Sequence, residues 1–219
     1  MHVRLAALLV VLVLGLAACG GSDDEAATTT TAAASSGGCT PVEAPAPKPD
    51  GGQKAPTAEL EAGKAYALVV QTNCGSFTIE LDPKLAPKTA ASLVALAESG
   101  FFDGTTFHRV VPGFVIQGGD PTGTGTGGPG YKTVDVPPSD TKYTKGVVAM
   151  AKGGMESPGT SGSQFFVVTG TDVGLPPEYA VVGRVTKGMD TVLKIDALGV
   201  GDGPPSQPVV IEHVTVKRS

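Results

Sequence analysis

Two short runs, Tyr66-Ala-Leu-Val-Val-Gln-Thr72 and Ser76-Phe-Thr-Ile-Glu-Leu81, are rich in β-branched and apolar residues. The intervening Asn73-Cys74-Gly75 contains residues that tolerate positive φ, so the stretch predicts a β-hairpin. After Asp82-Pro83 the period changes. Between Lys84 and Ser99 the apolar residues Ala90, Leu93, Val94 and Ala97 recur at helical spacing, and Gly100 follows as a stop. From Phe101 to Met150 short apolar runs are broken by Gly, Pro, Asp and Thr, and the same pattern returns at Gln164–Val168 and Val181–Val185. Gly188-Met189-Asp190 opens a second helix to about Ala197, with Val192, Leu193 and Ile195 inward, and Val209–Val216 closes the chain as a strand. No repeat of 20 to 50 residues is present, which excludes an array. Seven or eight short strands and two helices predict an antiparallel barrel or sandwich capped by helices.

The N-terminus carries a different pattern. Arg4 precedes an apolar run from Leu5 to Leu14, followed by small residues up to Cys19, as in a secretory signal. The run falls short of the ~20 apolar residues a spanning helix needs. Leu16-Ala17-Ala18-Cys19 resembles the lipobox of bacterial lipoproteins, which implies a signal peptide over 1–18 and a diacylglyceryl group on Cys19. Two acyl chains anchor stably where one binds only marginally. The expected location is therefore the extracytoplasmic face of the cell membrane. Residues 20 to 64 are rich in Ala, Thr, Ser, Gly and Pro and hold almost no large apolar side chain. Such a segment cannot offset its ordering entropy by burial, so 19–64 reads as a lipidated cysteine and a disordered tether before a domain at 65–219. With Cys19 carrying lipid, Cys39 and Cys74 remain as a candidate disulfide in a compartment that permits one, the alternative being two free thiols.

Charge narrows the partners. The chain carries a formal −5, but residues 65–219 hold 12 basic against 14 acidic groups, a near balance that argues against nucleic acid. His108 and His213 lack ligand spacing, so no metal is expected, and no cofactor. The Gly-rich Thr122–Gly130 has no following Lys-Ser/Thr and opens no helix, so it reads as a mobile loop and not as a phosphate cradle.

Two longer motifs specify more. Phe107-His108-Arg109-Val110-Val111-Pro112-Gly113-Phe114-Val115-Ile116-Gln117-Gly118-Gly119-Asp120 resembles the FHR...PGF..QGGD signature of the cyclophilins, and Gly162-Ser163-Gln164-Phe165-Phe166 resembles their second signature, GSQFF. Leu85-Ala86-Pro87-Lys88-Thr89, Tyr131, Met150-Ala151, Leu175 and Val181–Val185 extend the likeness over essentially 65–217. The resemblance implies a mainly β fold, a closed antiparallel eight-stranded β-barrel capped by two α-helices. It also implies peptidyl-prolyl cis/trans isomerase activity, with Arg109 catalytic and Gln117 supporting it. Phe114, Phe166 and Leu175 would form the proline pocket with Val115 at its edge. Met150, Ala151, Lys152, Gln164 and Tyr179 would complete the substrate groove, while Phe107 and Phe165 alternate away into the core.

The chain departs from the family pattern in three places. Gly174 stands where many eukaryotic members have a tryptophan important for cyclosporin binding, which implies weak drug sensitivity. Tyr179 stands where a histidine is common, and Met150–Ser161 is longer than its usual counterpart. The expected function is isomerisation of X-Pro bonds in exported proteins by a monomer whose partners are their proline-containing segments. The alternative is a non-catalytic module that binds such segments on an envelope partner. A lipoprotein capturing a small solute would need a deep enclosed pocket, whereas the motifs imply a shallow groove.

Overall fold

The computed structural model describes residues 38–219. The signal-like segment 1–18, Cys19 and tether residues 20–37 lie outside the described residues. Strands β1 (Tyr66–Thr72) and β2 (Gly75–Leu81) form the expected hairpin, and α1 (Pro87–Glu98) follows. Then come β3 (Thr105–Thr106), β4 (Arg109–Val111), β5 (Val115–Gly118), β6 (Thr133–Val134), β7 (Val147–Met150) and β8 (Thr160–Ser161). The chain ends with β9 (Phe165–Val168), β10 (Val181–Lys187), α2 (Met189–Asp196) and β11 (Val210–Arg218).

Nine strands form one antiparallel sheet in the order β3-β11-β1-β2-β10-β7-β9-β5-β4, with β6 and β8 paired separately. The mainly β architecture with two helices is thus as the sequence implies. The main sheet exceeds the expected eight strands by one, the two-residue β3, and the β6–β8 pair adds two more. Strands β3 and β4 lie at opposite ends of the order, yet only Phe107 and His108 separate them in the chain. The backbone therefore draws the two edges together and curls the sheet, and a Thr106–Asp120 bridge ties β3 to the end of β5. Inside the curl sit Phe77, Phe102, Phe107, Phe165, Ile116 and Met150 among others, with α1 contributing Ala90, Leu93, Val94 and Ala97. Phe165 stacks edge-on against both Phe102 and Phe107, at 6.0 Å between centroids in each case.

Helix α1 has Pro87 at its first turn and no side-chain cap of its own. Asp135, far along the chain, supplies the missing acceptor. One of its carboxylate oxygens takes the Thr89 backbone N–H and the Thr89 hydroxyl, both at 2.7 Å. An orphan donor is thereby satisfied and a negative charge is placed at the positive end of the helix.

Residues 38–64 correct the expectation of a free tether. Cys39 and Cys74 are joined in a disulfide, and Cys39 and Leu60 pack against the barrel core. The Lys48 ammonium donates to the carbonyls of Phe101 (2.5 Å) and Asp103 (2.9 Å). Backbone hydrogen bonds run from Thr40 to Asn73, Lys48 to Pro121, Gly51 to Gly128 and Gln53 to Pro129. The segment holds few large apolar side chains, as composition indicates, but it orders by lending backbone donors to a loop that has free carbonyls, with one covalent staple and Leu60 on the core.

Because that staple closes a separation of 35 residues, a Cys39→Ser/Cys74→Ser protein should lose about 2–4 kcal/mol of unfolding free energy. Denaturant titration without reductant measures the loss. An unchanged midpoint would mean that the disulfide contributes nothing to the fold.

Candidate active site

Strands β5, β7 and β9 each serve two apolar clusters because side chains alternate across a sheet. Ile116, Val148, Met150, Phe165 and Val167 face the barrel interior. Val115, Val147, Ala149, Phe166 and Val168 face the other way, and Phe114, Ala151, Val173, Leu175 and Tyr179 pack on them. This second cluster lies on the outer side of the sheet, where the resemblance places the substrate groove. It contains Phe114, Phe166 and Leu175, the expected proline pocket, while Phe107 and Phe165 lie in the interior as expected. Met150 must be reassigned. Its side chain points into the barrel core with 0% exposure, so it cannot touch a substrate in the groove.

Register sets the polar side of the groove. Arg109 on β4 pairs across with Gln117 on β5, and Gln117 pairs with Phe166 on β9. Arg109 Nη1 donates to Gln117 Oε1 at 3.3 Å, Gln117 Nε2 to Gln164 Oε1 at 3.0 Å, and Gln164 Nε2 to the Gly127 carbonyl at 2.9 Å. The guanidinium also lies 5.9 Å from the Phe114 ring centroid. Its other neighbour, Asp202, was not anticipated from sequence. Nε and Nη2 donate to the two Asp202 carboxylate oxygens at 2.5 and 2.9 Å, and these bonds hold that carboxyl below its usual pKa.

The rim is aromatic and charged. Phe166 meets Tyr179 edge-on at 5.6 Å. Beneath them Tyr143 is fully buried; its hydroxyl donates to the Tyr179 carbonyl (2.7 Å) and accepts from the Tyr179 N–H (3.0 Å). Burial, opposed by the bond to Tyr179, raises the Tyr143 pKa. Lys152 lies over the Tyr179 ring at 5.6 Å and pairs with Glu178 at 3.0 Å, its side chain only 5% exposed. Its ammonium is thus engaged below the rim. Gly174 has a φ of +64°, the left-handed region, and nothing lies within 4 Å of where a side chain would start. A tryptophan there would be strained, so the open rim is a property of the backbone as well as of composition.

The Gly-rich loop is fastened, which corrects its reading as mobile. Burial pushes the Asp120 carboxyl up, but the Thr122 N–H and hydroxyl and the N–H groups of Gly127 and Gly125 outweigh burial and hold its pKa down. A Cβ on Gly127 would lie 2.3 Å from Asp120 Oδ1, so only glycine permits this wrap. Beside the loop, burial lowers the His108 pKa against the pull of Asp120, and neither ring nitrogen has a hydrogen-bond partner. A cleft of about 470 Å³ opens between this loop, Gln117, Gln164 and residues 151–156. A larger recess of about 1070 Å³ lies between residues 59–65 and Glu80–Leu85; Val147 and Val181 of the second cluster also line it, whereas Arg109 and the aromatic residues of that cluster do not.

A protein-family model described as cyclophilin type peptidyl-prolyl cis-trans isomerase matches residues 67–216. The chain belongs to the cyclophilin family. It is 40% identical over 167 residues to the probable peptidyl-prolyl cis-trans isomerase A of Mycobacterium leprae, covering 67% of this chain and 90% of that protein. It is 42% identical over 160 residues to the peptidyl-prolyl cis-trans isomerase-like 1 of Neurospora crassa, covering 70% and 96%. A crystal structure of a Cryptosporidium parvum cyclophilin type isomerase superposes with a TM-score of 0.64 at 32% identity, covering 70% of this chain and 98% of that one.

Cyclophilin chemistry follows from this geometry. Amide resonance puts a barrier of roughly 18–20 kcal/mol on rotation about an X-Pro bond. As the bond twists, the prolyl nitrogen loses conjugation and gains a lone pair that can accept a hydrogen bond. A donor aimed there favours only the transition state. Of the five guanidinium N–H groups of Arg109, three are assigned to Asp202 and Gln117, which leaves two for substrate. A proline ring held against Phe114, Phe166 and Leu175 would be out of water, which would strengthen that bond.

Sequence reasoning missed Asp202, Tyr143 and the wrap around Asp120. Only Asp120 carried a signal, as the last residue of the first motif. Asp120→Asn places an amide N–H among backbone N–H donors and should destabilise the protein by about 1–3 kcal/mol at neutral pH. Because the folded carboxyl pKa is depressed, the wild-type advantage is present above the unfolded value of about 4 and is lost as pH falls through the folded one. Unfolding midpoints of the two proteins should therefore converge in acid. A constant gap would show that the carboxylate charge is not what holds the loop.

Proposed function

We propose that this cyclophilin is an exported, lipid-anchored isomerase that accelerates X-Pro rotation in proteins folding outside the cytoplasm. The Cys39–Cys74 disulfide carries the reading, because such a bond persists in oxidising compartments and is rare where glutathione keeps thiols reduced. The signal-like run, Cys19 in its lipobox and the lipid it would take point the same way. The partners are proline-containing segments of exported chains, bound by a monomer at the extracytoplasmic face of the membrane. A second reading, a binding module for an envelope partner with incidental turnover, is favoured by the open rim at Gly174 and by Tyr179. The same open rim supports weak cyclosporin sensitivity.

Two measurements test the proposal. Arg109→Ala should lower kcat/KM on a proline peptide by roughly 10²–10³-fold while leaving the thermal midpoint nearly unchanged. If Arg109→Ala also fails to replace the wild type in the cell despite normal peptide affinity, catalysis is the function; replacement would favour the binding module. For the anchor, Cys19→Ala should leave the protein unprocessed or lipid-free by intact mass, and unchanged membrane retention of a processed protein would exclude Cys19 as the lipidated anchor.

A further inference from the structure

The geometry points to Asp202 as a positioning residue for the isomerase reaction, one that fixes the guanidinium of Arg109 before substrate arrives. The inference rests on the reading of Arg109 as the catalytic donor. An arginine side chain has four rotatable torsions, and an exposed one samples many of them. From β5, Gln117 restrains the guanidinium through one bond of 3.3 Å, which leaves rotation about that contact open. The carboxylate of Asp202 removes this freedom. It engages Nε and Nη2 together, so a planar fork meets a planar acceptor and the guanidinium plane is set. The two N–H groups left over lie at the far end of the fork, on Nη1 and Nη2.

The loop carrying Asp202 is built to hold it there. Ser206 N–H donates to the Leu198 carbonyl at 2.8 Å, closing the loop at its base, and Leu198 packs against the barrel core. The neighbour of Asp202, Gly203, forms a bridge to Val110, itself the neighbour of Arg109, with Val110 N–H to Gly203 O at 2.8 Å. A Cβ on Gly199 would come within 2.7 Å of Pro112, so the loop also lies tight against the turn after β4. Two backbone anchors thus bring residues 109 and 202 together, while the Asp202 side chain itself stays 66% exposed. Exposed ion pairs add little to stability. The pair acts instead on the reaction, because a donor already oriented loses less freedom when it binds the twisted amide.

The test is a double-mutant cycle on the full-length chain. Rates are read by magnetisation exchange between the cis and trans forms of a short Ala-Pro peptide. Asp202→Ala should lower kcat by roughly five- to tenfold with KM nearly unchanged, and Asp202→Glu should recover part of it. In an Arg109→Ala background, Asp202→Ala should have no further effect. The Arg109 Nε–H resonance should exchange slowly in the wild type, broaden in Asp202→Ala and persist in Asp202→Glu. A wild-type kcat in Asp202→Ala, or an equal loss in both backgrounds, overturns the inference. Full activity of Arg109→Ala would instead remove the catalytic reading on which it depends.

Discussion

Strands β7 and β9 are buried on both faces, and β5 is too except at Gln117. In most antiparallel sheets one side is buried and the other is wet, so alternating residues can be polar. Here both sides are apolar, because the inner side fills the barrel and the outer side forms the groove floor. Phe165 and Phe166 are neighbours in sequence and belong to different clusters. A one-residue slip of β9 would exchange them and put the proline pocket inside the barrel. Everything functional therefore depends on a register that the barrel core, through Phe165, Val167, Ile116 and Met150, is packed to enforce.

That register also aligns the polar chain. Arg109, Gln117 and Gln164 lie on neighbouring strands or just ahead of one, so their hydrogen bonds run across the sheet and end on the Gly127 carbonyl. Gly127 is in turn held by Asp120, and the adjoining Gly128 by the strap through Gly51 and the Asp50 carboxylate. The Arg109 guanidinium is thus supported from one side by a network reaching the N-terminal segment, and from the other by Asp202. Each link is modest by itself, and their value lies in restricting the same few torsions.

The motifs made the cyclophilin fold and the groove legible, since FHR, PGF, QGGD and GSQFF place strand, turn and pocket residues in fixed order. Alternation alone separated Phe107 and Phe165 from Phe166. It gave Met150 no such protection, because the resemblance assigned that residue to the groove and only the pairing of β7 with β9 shows which side it faces. Asp202 and Asp135 were invisible for another reason. Each acts on a residue at least 46 positions away, and a lone acidic residue in a turn carries no mark of the donor it will meet. Asp120 differs because its donors lie within seven residues, a local pattern of Thr and Gly that describes its own wrap.

The strap shows how composition can be read correctly and still mislead. Residues 38–64 cannot form a core of their own, and the entropy argument for disorder is sound for an isolated chain. What it omits is a neighbour with unmet hydrogen-bonding capacity. A loop rich in glycine has few side chains to cover its backbone, so the carbonyls of Pro121, Gly128 and Pro129 stand open to another chain. A segment of small residues and glycine can approach them closely: a Cβ on Gly51 would lie 3.5 Å from the Gly130 Cα. The disulfide then shortens the reach over which that approach must be found. Low complexity in the strap and low complexity in the loop are two halves of one interaction, and neither half reveals it alone.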